Sequence, residues 1–563
     1  MLNKIVFFSS LFTIVNLFGQ SNYAQLNADY YHLVDRYQLL SDTGFSELHT
    51  SFKPYRQNLV AQTLPLSDTL GSKADAFNIE YLKTENRFYI SDSISKTNKP
   101  FLNTFYNYKS DAYSVSSEEF KLSINPMLYV GVGKEIDYDH KLFINSRGIE
   151  IDGIIDNKVG FYASLIENQA NFPSYALART YGYGAVPGEN FWKGFKTSGV
   201  DFFSAKGYLT LNATKHIGVQ FGYDKNFIGN GYRSLVLSDY SGNYTFLKLN
   251  TKVWKFQYTN LFAELNANIF ADKFNVPLGN TPYPKKFLAL HHLSLNVSKR
   301  FNIGVFESVT YGRNNNSFDM NYMNPVIFYR AIEGNLGSDG NMIVGTDWKW
   351  NVSKGISIYG QVIIDEFRLD RFKKRDGWWG EKYGIQGGVK YINVAGIDNL
   401  DIQGEINFVR PFTYSHRIKE TSYSHYNQPL AHPYGANFRE LVGITRYQPI
   451  PRLNLTGKLI LAQQGLDSFA GQIAYENGTN WGGNILLPNT TREQEIGNTI
   501  AQGLRSNIFM LDLIISYQLK HNFFIDLQFV MRDEKIELDY LSNKSTYSML
   551  ALRWNMPTRT HNY

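Results

Sequence analysis

Five basic residues, Arg368, Arg371, Lys373, Lys374 and Arg375, run directly into Asp376, Gly377, Trp378 and Trp379. Guanidinium forks pair with carboxylate or phosphate, and flat indole faces suit the apolar faces of sugar rings. The group therefore matches an acidic polysaccharide, with Arg371, Arg375, Trp378 and Trp379 as contacts. The same residues also fit a solvated basic face towards lipopolysaccharide phosphates, with both tryptophans in an interfacial aromatic girdle.

A second group is rich in histidine and tyrosine. His416, His425 and His432 stand among Tyr414, Ser415, Tyr423, Ser424 and Tyr426. Their spacings of nine and seven residues fit no compact metal motif, so no metal is expected. Such side chains both donate and accept hydrogen bonds, which suits bracing a loop folded into a wide lumen. Tyr414, His416, His425 and Tyr426 are also candidate glycan contacts. Tyr232 and Arg233 follow a glycine-rich stretch, Gly229-Asn230-Gly231, that can cradle an anion. The helix that completes a phosphate loop is missing there. Arg330, Glu333, Asp401, Glu405 and Arg553 are candidates for a charge network inside a barrel, tying inward-folded loops together and constricting the pore. No G-x-S-x-G elbow appears and His416 has no assignable carboxylate partner. The reading is non-enzymatic, with no cofactor.

The elements that hold these residues alternate with period two from about residue 120 onward. Leu400, Ile402, Ile406 and Phe408 interleave with Asp401, Gln403, Glu405 and Asn407. Phe523, Ile525, Leu527, Phe529 and Met531 alternate with polar residues in the same way. About 18 such segments can be counted, an even number as single-chain bacterial barrels have, each with one lipid-facing and one lumen-facing side. Connections alternate short and long. Asp156–Lys158, Ala213–Lys215 and Lys520–Asn522 are short, while 168–198, 227–241, 313–340, 366–381, 410–433 and 464–502 are long. Short periplasmic turns and long outer loops are the outer-membrane pattern. Both ends of the chain are then expected at the periplasmic rim. The expected fold is an all-β transmembrane barrel of about 18 antiparallel strands, over residues 116–563.

Residues 1–20 read as a secretory signal peptide, Lys4 preceding the apolar stretch Ile5–Leu17. Residues 21–115 read as a small periplasmic helical domain. Leu26, Tyr30, Leu33, Val34, Tyr37 and Leu40 recur at helical spacing, and further helices are expected after Pro54 and over Asp75–Arg87. So few apolar residues make a marginal core alone, so this part is expected to pack against something else. Composition agrees with a barrel between two solvents. The 563 residues include 39 Tyr, 40 Phe, 45 Gly and no cysteine, at a mean hydropathy of only −0.31. Absent cysteine excludes a disulfide framework, a thiolate zinc site and a cysteine nucleophile. A scattered net charge of +6 is no nucleic-acid footprint.

Three stretches carry a family resemblance: Asn226–Asp239 (NFIGNGYRSLVLSD), Asn324–Asn341 (NPVIFYRAIEGNLGSDGN), and RPFTYSH at Arg410–His416 with SYSHYNQPLAHPYGANFRE at Ser422–Glu440. With the LNADYYHLVDRYQ opening, they resemble the Bacteroidota branch of the capsule-assembly Wzi-like family. That branch includes flavobacterial gliding-motility (RemB-like) outer-membrane proteins. The resemblance implies a large monomeric barrel with a periplasmic helical part, embedded in outer-membrane lipid and lipopolysaccharide. For its enterobacterial relatives it implies an outer face that holds capsular polysaccharide. Three readings follow: a barrel that binds or organises surface polysaccharide; an outer-membrane component of a gliding, adhesin-display or secretion machinery working through an envelope protein complex; and a diffusion channel.

Overall fold

A computed structural model describes residues 20–563 except 42–47, 65–70, 91–95, 98–99, 103, 140, 197, 268–282, 313–316, 327, 337–339 and 468–478, and without the side chains of 333–336 and 539. The signal-peptide expectation therefore lies almost wholly outside the described residues.

Eighteen antiparallel strands close into one barrel. They are β1 (Phe120–Glu135), β2 (Lys141–Ile155), β3 (Val159–Asn171), β4 (Gly199–Asn212), β5 (Ile217–Asp224), β6 (Tyr244–Val253), β7 (Phe256–Asn266), β8 (Lys285–Asn296) and β9 (Phe301–Gly312). The second half comprises β10 (Asn341–Ser353), β11 (Ile356–Glu366), β12 (Lys382–Tyr391), β13 (Leu400–Val409), β14 (Phe438–Ile450), β15 (Leu453–Leu466), β16 (Leu504–Lys520), β17 (Phe523–Ile536) and β18 (Asn543–Trp554). β18 returns to β1 from Tyr547↔Glu135 to Trp554↔Leu128, which leaves no free edge.

Alternation explains the wall. Along β16, Phe509, Leu513, Ile515 and Tyr517 are exposed, whereas Ile508, Met510, Asp512 and Ser516 are buried in the lumen. Exposed apolar residues recur on strand after strand, far beyond the few hundred Å² a soluble surface leaves bare. That face requires lipid. Tight turns join the strands at one rim. Asp156 and Asn157 both adopt positive φ, and Lys158 N–H bonds back to Ile155 O at 2.8 Å, the mirror-image turn that suits the twist of a hairpin. No helix among the described residues is long and apolar enough to cross a membrane.

The N-terminal helices are α1 (Ala28–Leu40), α2 (Gln57–Thr63) and α3 (Lys73–Glu85). Asn27 caps α1, and Ser72 with Asp75 forms a capping box on α3. Tyr30, Val34, Tyr37, Val60, Ile79 and Leu82 form a core among them. The polar sides of these helices are buried as well, because the bundle sits inside the mouth of the barrel at the short-turn rim. Leu39 O accepts from Gly355 N–H, Asn78 bonds Gln448 at 2.6 Å, and Tyr81 bonds Asn522 at 2.7 Å.

From the other rim, segments 225–243 and 410–437 and helix α4 (Ser174–Tyr183) fold into the lumen; residues 556–563 join them from the short-turn rim, where β18 ends beside Asn522. The two fillings meet inside. Phe52-Lys53 pairs antiparallel with Phe227-Ile228, and Gly229 N–H donates to Ser51 O at 2.6 Å. Between them remains a cavity of about 700 Å³.

One outer connection goes the other way. Met320–Met323 and helix α5 (Tyr329–Leu336) lie against the outside of β7–β9, over Phe262, Phe287, Ala289, Val309 and Tyr311. That wall carries Asn260, His291 and Glu307, which lipid cannot satisfy. The excursion does so: Asn260 donates to Pro325 O, Tyr329 N–H donates to Glu307, and the Tyr329 hydroxyl lies 2.7 Å from His291 Nε2.

Candidate functional site

The glycine-rich segment does cradle an anion, and the anion belongs to the protein. Glu405 on β13 accepts Tyr232 N–H at 2.7 Å and Arg233 N–H at 3.0 Å, together with the Tyr359 hydroxyl at 2.8 Å and Asn407 Nδ2 at 3.1 Å. A Cβ on Gly231 would stand 2.5 Å from the Glu405 carboxylate, so the close approach requires glycine. The Arg233 side chain is equally committed. It donates to Glu440 at 3.0 Å and to Asn562 O at 2.5 Å. His432 holds the other Glu440 oxygen at 2.8 Å. The Tyr232 hydroxyl accepts from Asn562 at 3.0 Å.

Histidines and tyrosines of segment 410–437 brace this insert. The Tyr414 hydroxyl donates to Leu235 O at 2.7 Å, and its ring stacks on Tyr423 at 5.8 Å. His425 Nδ1 accepts Asn266 N–H at 3.0 Å while Nε2 faces Asn243 O at 2.9 Å. Those partners define one neutral tautomer, and burial pushes the His425 imidazole down to about 3. His416 Nδ1 meets the Thr421 hydroxyl at 2.7 Å, and burial holds it at about 4. Tyr426, at φ 50°, sets its ring edge-on to Phe191 at 4.9 Å.

Inside the lumen, Asp401 accepts from Arg36 at 2.6 Å and meets His32 at 2.9 Å. Arg553 donates to Asp526 at 2.6 Å. Asp35 of α1 sits between Lys349 and Lys390. Of three charges read as lumen-facing, Asp401 and Glu405 thus tie the filling to the wall, while Arg553 joins two wall strands through Asp526. Arg330 does not join them. It is exposed on α5, outside the barrel, because that connection covers the polar wall of β7–β9 instead of folding inward. The Glu333 side chain lies outside the described residues.

The basic–aromatic loop forms a separate platform at the long-loop rim. Residues 376–379 and 495–498 hold each other through the main chain: Gly497 N–H to Asp376 O at 2.7 Å, Asn498 N–H to Gly377 O at 2.8 Å, and Trp379 N–H to Glu495 O at 3.0 Å. Gly377 has φ +67°, and a Cβ there would lie 2.8 Å from Asn498 N, so only glycine fits. Arg410 clamps the base, donating to Glu381 O at 3.1 Å and Asn498 O at 3.0 Å. Trp378 is 9% exposed, with the Arg368 and Arg371 guanidinium groups 5.6 and 6.0 Å from its ring. Trp379 is half-buried beside Arg492 at 4.2 Å and Phe412 at 6.3 Å. Arg371 pairs with Asp376 at 3.2 Å. The short helix α6 (Leu369–Lys374), capped by Arg375 at φ 54°, lifts Lys373, Lys374 and Arg375 into solvent. Arg492, Arg410 and Glu440 were missed by sequence reasoning, because each acts on residues 29 or more positions away along the chain or sits in a strand that reads as ordinary wall.

These features define an outer-membrane-type barrel filled by its own chain, with a cationic, tryptophan-backed platform on one rim. No family model matches the chain, and no curated protein is significantly similar in sequence. Among solved structures the fold is similar to that of Escherichia coli Wzi, an outer-membrane protein involved in group 1 capsule assembly and described as a carbohydrate-binding β-barrel. The TM-score is 0.55 at 12% identity, over 95% of this chain and 99% of that one. Pseudomonas aeruginosa OprD matches 77% of this chain and 94% of its own at 9% identity and a TM-score of 0.40. Acinetobacter baumannii OccAB4 matches 78% and 98% at 10% identity and 0.40.

Proposed function

We propose that this barrel binds acidic cell-surface polysaccharide at its long-loop rim and so attaches or organises capsule or exopolysaccharide on a Bacteroidota outer membrane. In this reading the short-turn rim and the helical plug face the periplasm. The observation that carries it is the division of the cations. Arg36, Lys349, Lys390, Arg233 and Arg553 are buried against their own carboxylates, whereas Lys373, Lys374 and Arg375 stand exposed beside the main-chain-paired residues 376–379. Preorganised cations on a rigid platform suit a repeating anionic polymer, since each repeat meets the same charge array. The filled lumen favours retention over passage, and the fold likeness to a carbohydrate-binding barrel supports the same direction.

The test is retention of the folded, detergent-purified protein on an immobilised uronic-acid polysaccharide, with neutral dextran as control. The K373S/K374S/R375S variant should lose retention on the acidic polymer while migrating as a folded barrel. Equal retention of variant and parent would overturn the proposal.

A further inference from the structure

The chain leaves the plug and re-enters the wall through 96–116, whose described residues lie outside the short-turn rim beside the β18–β1 seam. Tyr113–Ser116 pairs antiparallel with β1, Tyr113↔Ile124 and Val115↔Leu122, and so extends the wall below the point where β18 stops at Trp554↔Leu128. Directly paired residues share a face. Leu128, Val130 and Val132 mark the outward side of β1, so Tyr113 and Val115 point outward with Ile124 and Leu122.

The rest of the excursion is aromatic and follows that face. Tyr106 stacks on Trp554 at 6.1 Å, and Trp554 meets Phe523, the start of the lipid-facing stripe of β17, at 5.3 Å. Phe105 lies 6.4 Å from Tyr113 and 6.3 Å from Phe101. At the tip, Phe101 and Leu102 are 65% and 71% exposed, far more than the barrel's own outward residues nearby. The tip is shaped by its own hydrogen bonds, Phe101 and Phe105 exchanging main-chain bonds at 2.9 Å, so the exposure belongs to a folded turn. Lys96 and Lys109 flank it in solvent, Lys109 reaching Glu80 of the plug at 2.7 Å.

We infer that the described residues of 96–116 form a foot that inserts Phe101, Leu102 and Phe105 into the phospholipid interface at the short-turn rim. Aromatic rings with basic flanks are the composition that settles at headgroup level, ring in the acyl boundary and ammonium in water. The rim already carries such a belt in Trp254, Trp350, Tyr391 and Tyr517, all exposed, and the foot continues it across the seam where β18 is shorter than β1. The foot also couples the two compartments of the fold. Arg87, at the end of the plug, and Asp111, within the excursion, form a buried ion pair, and Asp111 takes the Ser123 hydroxyl of β1 at 2.7 Å. Anchoring the tip in lipid therefore fixes the exit of the helical plug relative to the membrane plane.

The chain contains no cysteine, so one introduced thiol labels one site. Full-length Leu102→Cys protein carrying a nitroxide is reconstituted into phosphatidylethanolamine–phosphatidylglycerol vesicles, and collision with oxygen and with a water-soluble nickel chelate is measured. Leu550→Cys, on the lipid-facing wall, and Asn157→Cys, in a short turn, are the references. The expected result is a rise in the oxygen-to-nickel ratio at 102 from the detergent-free aqueous level of 157 towards the level of 550. A ratio equal to that at 157 would overturn the inference, as would loss of collision with both reagents or spin–spin broadening, which mean that protein covers the tip. Phe105→Cys repeats the measurement if the first variant fails to migrate as a folded barrel.

Discussion

Two regions of this barrel are built from the same residue types and put them to opposite use. In the lumen, Tyr232, Arg233, Tyr414, His425, His432 and Glu405 direct their donors and acceptors at other groups of the protein itself. On the rim, the loop around Trp378 spends its main-chain groups on residues 495–498 and leaves Lys373, Lys374 and Arg375 to solvent. Arginine, tyrosine and histidine beside glycine are therefore no measure of ligand binding by themselves. What separates the regions is whether a carboxylate of the wall lies opposite.

The lumen side of that contrast can be broken most strongly at Glu440. Its carboxylate is fully buried between Arg233 and His432. Glu440→Ala leaves the Arg233 charge without its acid, at a cost of about 3–5 kcal/mol, whereas replacing Arg233 and Glu440 together by Met and Leu should be near neutral. Proteolytic cleavage within 226–241, absent in the parent, should appear in the single variant and recede in the double. Glu405→Gln should cost less, about 2 kcal/mol, by weakening charge-assisted bonds to the Tyr232 and Arg233 amides. Faster amide exchange confined to 230–235 is the expected readout.

Acid gives a third way to separate the regions. Burial places the His425 imidazole at about 3, below the roughly 6.5 of an exposed histidine. The unfolded chain therefore binds the proton first as pH falls. Stability from this group is complete above about pH 6.5 and is lost as pH falls from there towards 3, by about 2 kcal/mol at pH 5. Protonation would also aim Nδ1–H at the Asn266 N–H that it now accepts. Amide protection in 420–430, taken relative to the intrinsic exchange rate at each pH, should fall between pH 7 and 5 in the parent and lose that pH dependence in His425→Gln, while protection of the rim platform stays unchanged.

Much of the wall was legible because a strand between lipid and lumen must alternate, and alternation survives without knowledge of neighbours. Long and short connections likewise followed from the two rims. The filling was harder to read. α1 buries Tyr30, Val34 and Tyr37 on one side and Asp35, Arg36 and Gln38 on another, so its polar face looks solvent-exposed in sequence although Lys349, Lys390 and Asp401 cover it. A stretch such as Gly229–Gly231 can cradle an anion, but nothing local could show that Glu405 lies against it. For the long connection at 313–340, the sequence offers Arg330 and Glu333 as candidates for a charge network inside the barrel. Only the polar outer faces of Asn260, His291 and Glu307, meaningless until the strand register was known, explain why it lies outside.

The rim offers the smallest effect on stability and the sharpest test of the contrast. Lys373, Lys374 and Arg375 touch no buried acid, so replacing them by serine should shift stability by no more than about 0.5 kcal/mol, the scale of ordinary surface changes. Binding to an acidic polymer should respond quite differently. Charges in solvent are screened beyond about 8 Å at 0.15 M salt, so affinity for the polymer should fall as salt rises in the parent. In the triple variant it should be low at all salt concentrations, with a flatter dependence. Arg410→Ala probes the scaffold instead of the charge: it removes the clamp on Glu381 and Asn498 while keeping all three rim cations. If preorganisation carries the affinity, that variant should bind weakly yet retain the parent's salt slope. A flattened slope would mean that the cations act as a loose cloud and that rim and lumen differ in exposure alone.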